Sequence, residues 1–331
     1  MATMRAIVID APGPPSVMQL KQVPIPEPLE GQVRLKVAYV GMNPVDAFAR
    51  AGTLGFLNIS YPFTPGLEHS GVVDAVGPGG SKDLIGRRVI SRSSFGGYAE
   101  YSLAPAKTLL MLDDRIDLKT GAVYRGAAFT AWHALHKSAR LQSGETVLIH
   151  SAAGAVGVML VQIAKEAGAK VIALAGSKAK LDYATSFGAD AAFDYTKDGW
   201  IAEVKAATNG RGVDVIIDCN GGPDFPKNFE VIAPLGRIFS IGVTGGGQPP
   251  PIPFGVLVGK SISVGGMTLT QVEAPPGSDV DKMVVEAVVS GRWRVPLGET
   301  VPLERVAELH ARLEARTLMG RAVVAVNPTL T

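Results

Sequence analysis

Between Thr146 and Gly157 the chain reads Thr-Val-Leu-Ile-His-Ser-Ala152-Ala153-Gly154-Ala155-Val156-Gly157. This is an A-x-G-x-x-G spacing set between a β-favouring run and a helical one, and it suits the binding of a pyrophosphate. Gly154 would let the backbone approach the anion, and Gly157 would let the helix pack closely on the strand. The helix N-terminus would supply N–H donors and a partial positive charge. A glycine-rich turn that only packs a helix is the alternative, and the strand–turn–helix context argues against it. About 20 residues on, a site for NAD places an Asp or Glu against the ribose 2′-hydroxyl. Here the chain reads Leu174-Ala-Gly176-Ser177-Lys178-Ala-Lys180, with no carboxylate. A hydroxyl and two cations suit a 2′-phosphate, so NADP is expected over NAD. A solvated helix start with incidental lysines is the competing reading.

Other reactive side chains are isolated. His69 sits in Pro65-Gly-Leu67-Glu68-His69-Ser-Gly71 with no cysteine nearby and no second histidine at ligand spacing. His133 and His136 lie three apart on a probable helix without a third ligand. A zinc site needs three or four converging ligands, so structural histidines and no metal are expected. Cys219 is the one cysteine. It excludes an internal disulfide framework, and a buried, inert thiol is expected.

The elements that must position these residues change character along the chain. Residues 4–9, 33–40, 71–76, 88–91 and 98–103 read as short strands punctuated by Gly or Pro. In 33–40, Val33, Leu35, Val37 and Tyr39 alternate with polar residues, as in a half-buried strand. Many short strands suggest a small barrel or sandwich. From about residue 145, strands at 146–149, 171–175, 191–193, 213–217, 238–241 and 262–265 alternate with helical stretches. These include about 178–187, 199–207 and 225–233, so a parallel sheet is expected. An amphipathic helix at 303–315 and a strand at 321–326 close the chain. The length, 331 residues, suits about two domains. The composition is 47% hydrophobic and 19% charged, which excludes bulk disorder. A net charge of +2 without a basic block gives no case for nucleic acid or an anionic membrane. No apolar run approaches the roughly 20 residues of a membrane span, so a soluble, cytoplasmic protein is expected.

Taken in order, these segments resemble the medium-chain dehydrogenase/reductase superfamily, in its zinc-independent quinone oxidoreductase and ζ-crystallin branch. The resemblance covers essentially the whole chain. It is carried by Gly41-Met-Asn43-Pro-Val-Asp46 with Arg50-x-Gly52, Pro65-Gly-x-Glu68-x-Ser-Gly71, Gly96-Gly-Tyr-Ala-Glu100 and the Ala152–Gly157 loop. It implies an α/β architecture, with a Rossmann doubly wound parallel sheet beside a GroES-like, β-rich catalytic domain. The implied division is 1–124 and 268–331 for the catalytic domain and 125–267 for the nucleotide domain. Zinc alcohol dehydrogenases carry a cysteine ligand in the place of Asn43 and a histidine ligand in the place of Leu67, and neither is present. The implied NADPH contacts are Lys180, Tyr195 and Arg316 for the 2′-phosphate. Asn220, Gly242, Met267 and Thr268 match segments lining the ribose and nicotinamide, and Thr130 a position near the nicotinamide.

Without a metal to polarise it, the acceptor must already be electrophilic, such as a quinone, an α,β-unsaturated carbonyl or an enoyl thioester. Asn43 is the candidate catalytic residue, as a polar contact to substrate or nicotinamide ribose; a turn residue before Pro44 is the alternative. Phe48, Leu54, Phe56 and Phe95 suit a substrate-pocket wall, with Tyr61 nearby, and core packing suits them equally. Relatives often carry a tyrosine at the place of Phe48 or near Leu54, so no side-chain acid is assigned. The expectation is an NADPH-dependent reductase of quinones or enones, acting as a homodimer. An enoyl-thioester reductase and a non-enzymatic NADPH-binding protein are the rivals.

Overall fold

The computed structural model describes residues 2–53, 59–92, 94–247 and 251–330. They form two compact units, one of Met1–Arg125 with Leu297–Thr331, the other Gly126–Pro296. The chain therefore returns to its first unit at Leu297, later than the expected residue 268. The reason is local. Asp279–Val289 is a helix with Val284 and Ala287 buried. Just beyond it, Arg294 N donates to Gln162 Oε1 at 2.8 Å, and Gln162 Nε2 donates back to Arg294 O at 3.0 Å. Trp293 Nε1 donates to Glu166. These bonds anchor residues 279–294 to the second unit's own Ala155–Glu166 helix.

The first unit is built on a mixed sheet. Among the described residues its strands run Leu297–Pro302, Arg321–Ala325, Gln32–Gly41, Glu68–Val76, Arg88–Ser91 and Leu110–Met111, with Tyr101–Pro105 also paired to Gln32–Gly41. Val33, Leu35 and Val37 are fully buried, as their alternation predicts. Tyr39 is only half-buried, because pairing with Glu68–Val76 shifts register between Val37 and Tyr39, and Ala38 and Val40 become the inward residues. Such an irregularity reverses which face is buried. The expected strand at 98–103 is displaced to Tyr101–Pro105, while Tyr98 is fully buried. The Pro44–Ala51 helix was not legible as an element.

The second unit is α/β. Its parallel strands, in chain order, are Thr146–Ile149, Lys170–Ala175, Ala191–Asp194, Val213–Asp218, Ile232–Ser240 and Ser263–Gly266. Across the sheet they run 3-2-1-4-5-6, with helices between them. This is the doubly wound order, and its reversal point lies between the first and fourth strands. Leu148, Ile172, Ile216 and Ile238 fill one core. The expected helix at 225–233 shrinks to a 3-10 turn, Gly222–Lys227, and one helical turn, Asn228–Val231. Pro226 removes a backbone donor there, and the next strand begins as early as Ile232. No helix among the described residues is long and apolar enough to cross a membrane.

Candidate functional site

In the second unit the strand Thr146–Ile149 leads into a tight turn. His150 N donates to Ile217 O at 3.0 Å, Ala152 N to Leu174 O at 3.0 Å, and Gly154 N to Ser151 O at 2.9 Å. Gly154 is the N-cap of Ala155–Glu166, and no side chain caps that helix. Its first N–H groups are therefore left to another acceptor. The two glycines divide the work. A Cβ on Gly157 would lie 2.2 Å from Ser151 O, so this residue sets how closely helix meets turn. A Cβ on Gly154 would meet Ser151 O alone, at 3.2 Å, which leaves its outer side open to a ligand. Ala153 is buried beneath the turn; Ala155 and Val156 are half-buried.

The strand Lys170–Ala175 ends at Gly176. A Cβ there would come within 3.0 Å of Tyr195 Oη. Tyr195 arrives from the end of Ala191–Asp194, where its N donates to Ala175 O at 3.2 Å. Ser177 caps the helix Lys178–Ser186, its Oγ accepting from Lys180 N at 3.4 Å. Gly176, Ser177, Lys180 and Tyr195 are thus brought together by the ends of two neighbouring strands. Lys178 instead pairs with Asp182 at 2.6 Å on an exposed helix face.

At the end of Val213–Asp218, the buried Asp218 carboxylate accepts from Asn220 N at 2.7 Å, Gly221 N at 2.8 Å and Asn228 Nδ2 at 2.7 Å. Asn228 Oδ1 lies 2.7 Å from His150 Nε2. This network joins the ends of the first and fourth strands, and no glycine spacing announces it. A Cβ on Gly242 would lie 2.2 Å from Cys219 O. Met267 and Thr268 follow the sixth strand, with Met267 N donating to Ser240 O at 3.0 Å. Thr130 is half-buried on the helix Leu118–Trp132, and no hydrogen bond among the described residues ties it to the turn. Arg316 belongs to the first unit, with φ 54 just beyond the helix Val306–Glu314.

In the first unit Asn43 is the N-cap of Pro44–Ala51. Its N donates to Asp46 Oδ2 at 2.8 Å, and its Nδ2 donates to Gly41 O at 3.0 Å and faces Glu68 Oε2 at 3.5 Å. Asp46 Oδ1 accepts from Gly66 N at 3.1 Å and Leu67 N at 2.9 Å. Burial pushes the Asp46 carboxyl up to about 6, against the pull of these N–H groups. Glu68, equally buried, holds Arg321, with Arg92 Nε at 3.5 Å. Sequence reasoning missed Asp46 and Glu68 as organising groups. The Asn43-x-x-Asp46 capping-box spacing was the available signal for the first.

The apolar candidates separate. Tyr61 Oη donates to Ala49 O at 2.9 Å, and the rings of Tyr61, Phe63 and Phe95 meet edge to face at 5.3 and 5.8 Å. Tyr61 packs against the unit's core. Phe48 is half-buried on the Pro44–Ala51 helix; Leu54 and Phe56 lie outside the described residues. His69 is fully buried, its Nε2 2.8 Å from Ser102 Oγ, and burial pushes its pKa down to about 4. His133 bonds to Phe129 O at 2.8 Å and accepts from Ala274 N at 3.1 Å. Burial, helped by Asp218, raises the Cys219 pKa, as in an inert thiol. Among the described residues no three His, Cys, Asp or Glu side chains are grouped to hold a metal.

Comparison with known proteins gives two family matches. Residues 29–114 match the family described as alcohol dehydrogenase GroES-like domain, and residues 155–286 that described as zinc-binding dehydrogenase. A quinone oxidoreductase of Sus scrofa is 35% identical over 97% of this chain and 97% of its own. A 2-haloacrylate reductase of a Burkholderia species is 29% identical, over 96% of this chain and 98% of its own. The crystal structure of Escherichia coli quinone oxidoreductase complexed with NADPH matches with TM-score 0.87 and 25% identity, over 98% of this chain and 100% of that one.

Proposed function

The chain belongs to the medium-chain dehydrogenase/reductase superfamily, in its quinone oxidoreductase branch, and on that premise we propose that it is an NADPH-dependent reductase of quinones or activated alkenes. The observation that carries the coenzyme half is the meeting of Gly176, Ser177, Lys180 and Tyr195 beyond the second strand, whose following residues 176–180 include no Asp or Glu. Lys180 and the hydroxyls of Ser177 and Tyr195 would hold a 2′-phosphate, which an Asp or Glu there would repel. The uncapped helix start at Gly154 would hold the diphosphate with backbone N–H groups. Bound NADPH supplies a hydride from C4 of its reduced nicotinamide. The protein supplies orientation and exclusion of water.

The donor set does not fit a catalytic zinc. Leu67 offers no ligand atom, and the Asn43 carboxamide donates its NH2 to Gly41 O. The reaction is therefore assigned to an acceptor that is electrophilic without a metal. Asn43 is the first unit's polar candidate for meeting it. The similarity to a 2-haloacrylate reductase supports an activated alkene beside a quinone.

The working unit is proposed to be a homodimer. Ser263–Gly266 lies at a sheet edge, near the exposed Phe254 and Val258 of the helix Phe254–Lys260. An open edge beside an apolar helix face is a pairing surface.

The test is NADPH oxidation by metal-free protein with panels of quinones, enones and enoyl thioesters. Turnover of quinones or enones with chelator present, and preference for NADPH over NADH, are expected. Turnover of thioesters alone would move the assignment to fatty-acid chemistry. Tight NADPH binding with no acceptor reduced would make it a binding protein.

A further inference from the structure

We propose that Ser151 is a positioning residue for the coenzyme, its hydroxyl holding the Asn220 carboxamide across the central crevice of the parallel sheet so that the Asn220 NH2 is presented to the nicotinamide half of the dinucleotide. The inference rests on the dinucleotide reading above.

Ser151 follows the first strand and Asn220 the fourth, and these strands are hydrogen-bonded neighbours, Val147 opposite Val215 and Ile149 opposite Ile217. The sheet order reverses between them, so the crevice outside their carboxyl ends is where a doubly wound fold receives its ligand. Ser151 Oγ donates to Asn220 Oδ1 at 2.6 Å, directly across that crevice. Thr244 Oγ1 lies 3.2 Å from that oxygen and 3.2 Å from Cys219 O, its one proton shared between them. The bond from Ser151 fixes Oδ1 as the accepting end of the amide and leaves the NH2 for another partner. Among the described residues nothing accepts from that NH2.

The backbone beneath is rigidly held. Asp218 fixes Asn220 N, Gly245 N donates to Asn220 O at 2.7 Å, and Asp218 is tied through Asn228 to His150, the residue before Ser151. Ser151 itself has φ 52, a conformation that favours glycine. Glycine would serve the turn with less strain, so the hydroxyl is what serine adds. On the dinucleotide reading above, the adenine side belongs to the opposite flank. Gly176, Ser177, Lys180 and Tyr195 lie beyond the second and third strands, whereas Asn220 lies on the far side of the first strand. Asn220 therefore faces the nicotinamide half.

The test titrates the purified protein with two probes. NADPH is followed by its own fluorescence, and adenosine 2′,5′-bisphosphate, which lacks the nicotinamide half, by calorimetry. Ser151→Gly removes the hydroxyl and fits the backbone. It should raise the NADPH Kd roughly three- to tenfold, the effect of one hydrogen bond, and leave the bisphosphate Kd and the Tm of the free protein unchanged or the Tm higher. Asn220→Leu should show the same split, and so should Asn220→Asp, whose carboxylate offers the nicotinamide half no N–H donor. Wild-type affinity of Ser151→Gly for both probes overturns the inference, and so does equal weakening of both, which would mark a structural role. Should wild-type protein bind neither probe, the dinucleotide reading itself fails and this inference goes with it.

Discussion

The turn at Ser151–Gly157 and the loop at Asn43–Asp46 with Gly66–Glu68 hold their shapes by opposite means. In the first, small residues let backbone meet backbone, and the free N–H groups of a helix face outward. In the second, two buried carboxylates gather the chain. Asp46 ties Asn43 to Gly66 and Leu67, and Glu68 ties the region to Arg321. A site that grips an anion needs donors left open to it. A site that shapes an uncharged acceptor needs its charges satisfied internally, because an unpaired buried charge costs several kcal/mol.

The largest expected effect breaks the second arrangement. Arg321→Met removes the cation that the buried Glu68 carboxylate holds, and should lower stability by about 3 kcal/mol. Glu68→Met added to Arg321→Met should recover part of that loss in denaturant unfolding; no recovery would mean the pair is not what holds the loop. In the turn, Gly157→Ala drives a Cβ to 2.2 Å from Ser151 O. It should cost about 1–3 kcal/mol and weaken NADPH binding in titration, whereas wild-type affinity would show that close packing is not required there.

Lys180→Ala sharpens the contrast within the coenzyme site. It should raise the NADPH Kd about tenfold or more and leave the NADH Kd unchanged, since one charge-assisted bond to the 2′-phosphate is lost. Equal effects on both coenzymes would remove Lys180 from that role. The last contrast is one of pH dependence. His69 and His310 are held neutral by burial, at about 4 and about 3. A lowered histidine pKa means that the unfolded chain binds the extra proton. Stability is therefore complete above about pH 6.5 and falls as pH drops toward 4, by about 2 kcal/mol per histidine at pH 5. Asp46 acts in the opposite sense, its contribution present below about 4 and lost as pH rises through about 6. Unfolding at pH 7 and 5 should show a flatter response in His69→Gln with His310→Gln, and an unchanged slope would rule these groups out as its source.

The parts that could be read in advance obey local rules. The strand–turn–helix at Thr146–Gly157 follows from residue size and spacing, and the five other parallel strands follow from apolar runs, four with boundaries near those observed and one starting at Ile232 where 238 was expected. Tyr39 shows where that reasoning stops. Its alternation with Val37 is broken by a register shift that depends on the partner strand. The division between units likewise depends on Gln162 meeting Arg294, residues far apart in the chain. Tyr61 suits a substrate pocket or core packing by sequence alone, and its bond to Ala49 O supports packing.

The amino-acid sequence by itself determined the alternation of strand and helix, the glycine turn, and the lack of a carboxylate after the second strand, because each is written in residues close together along the chain. Only the tertiary structure decided that Asp46 clamps Asn43 to Leu67, that Glu68 meets Arg321, and that Ser151 reaches Asn220. Those pairings join residues 20 to 250 positions apart, roughly speaking, and a long-range contact exists only once the sheet has set which strand ends lie side by side.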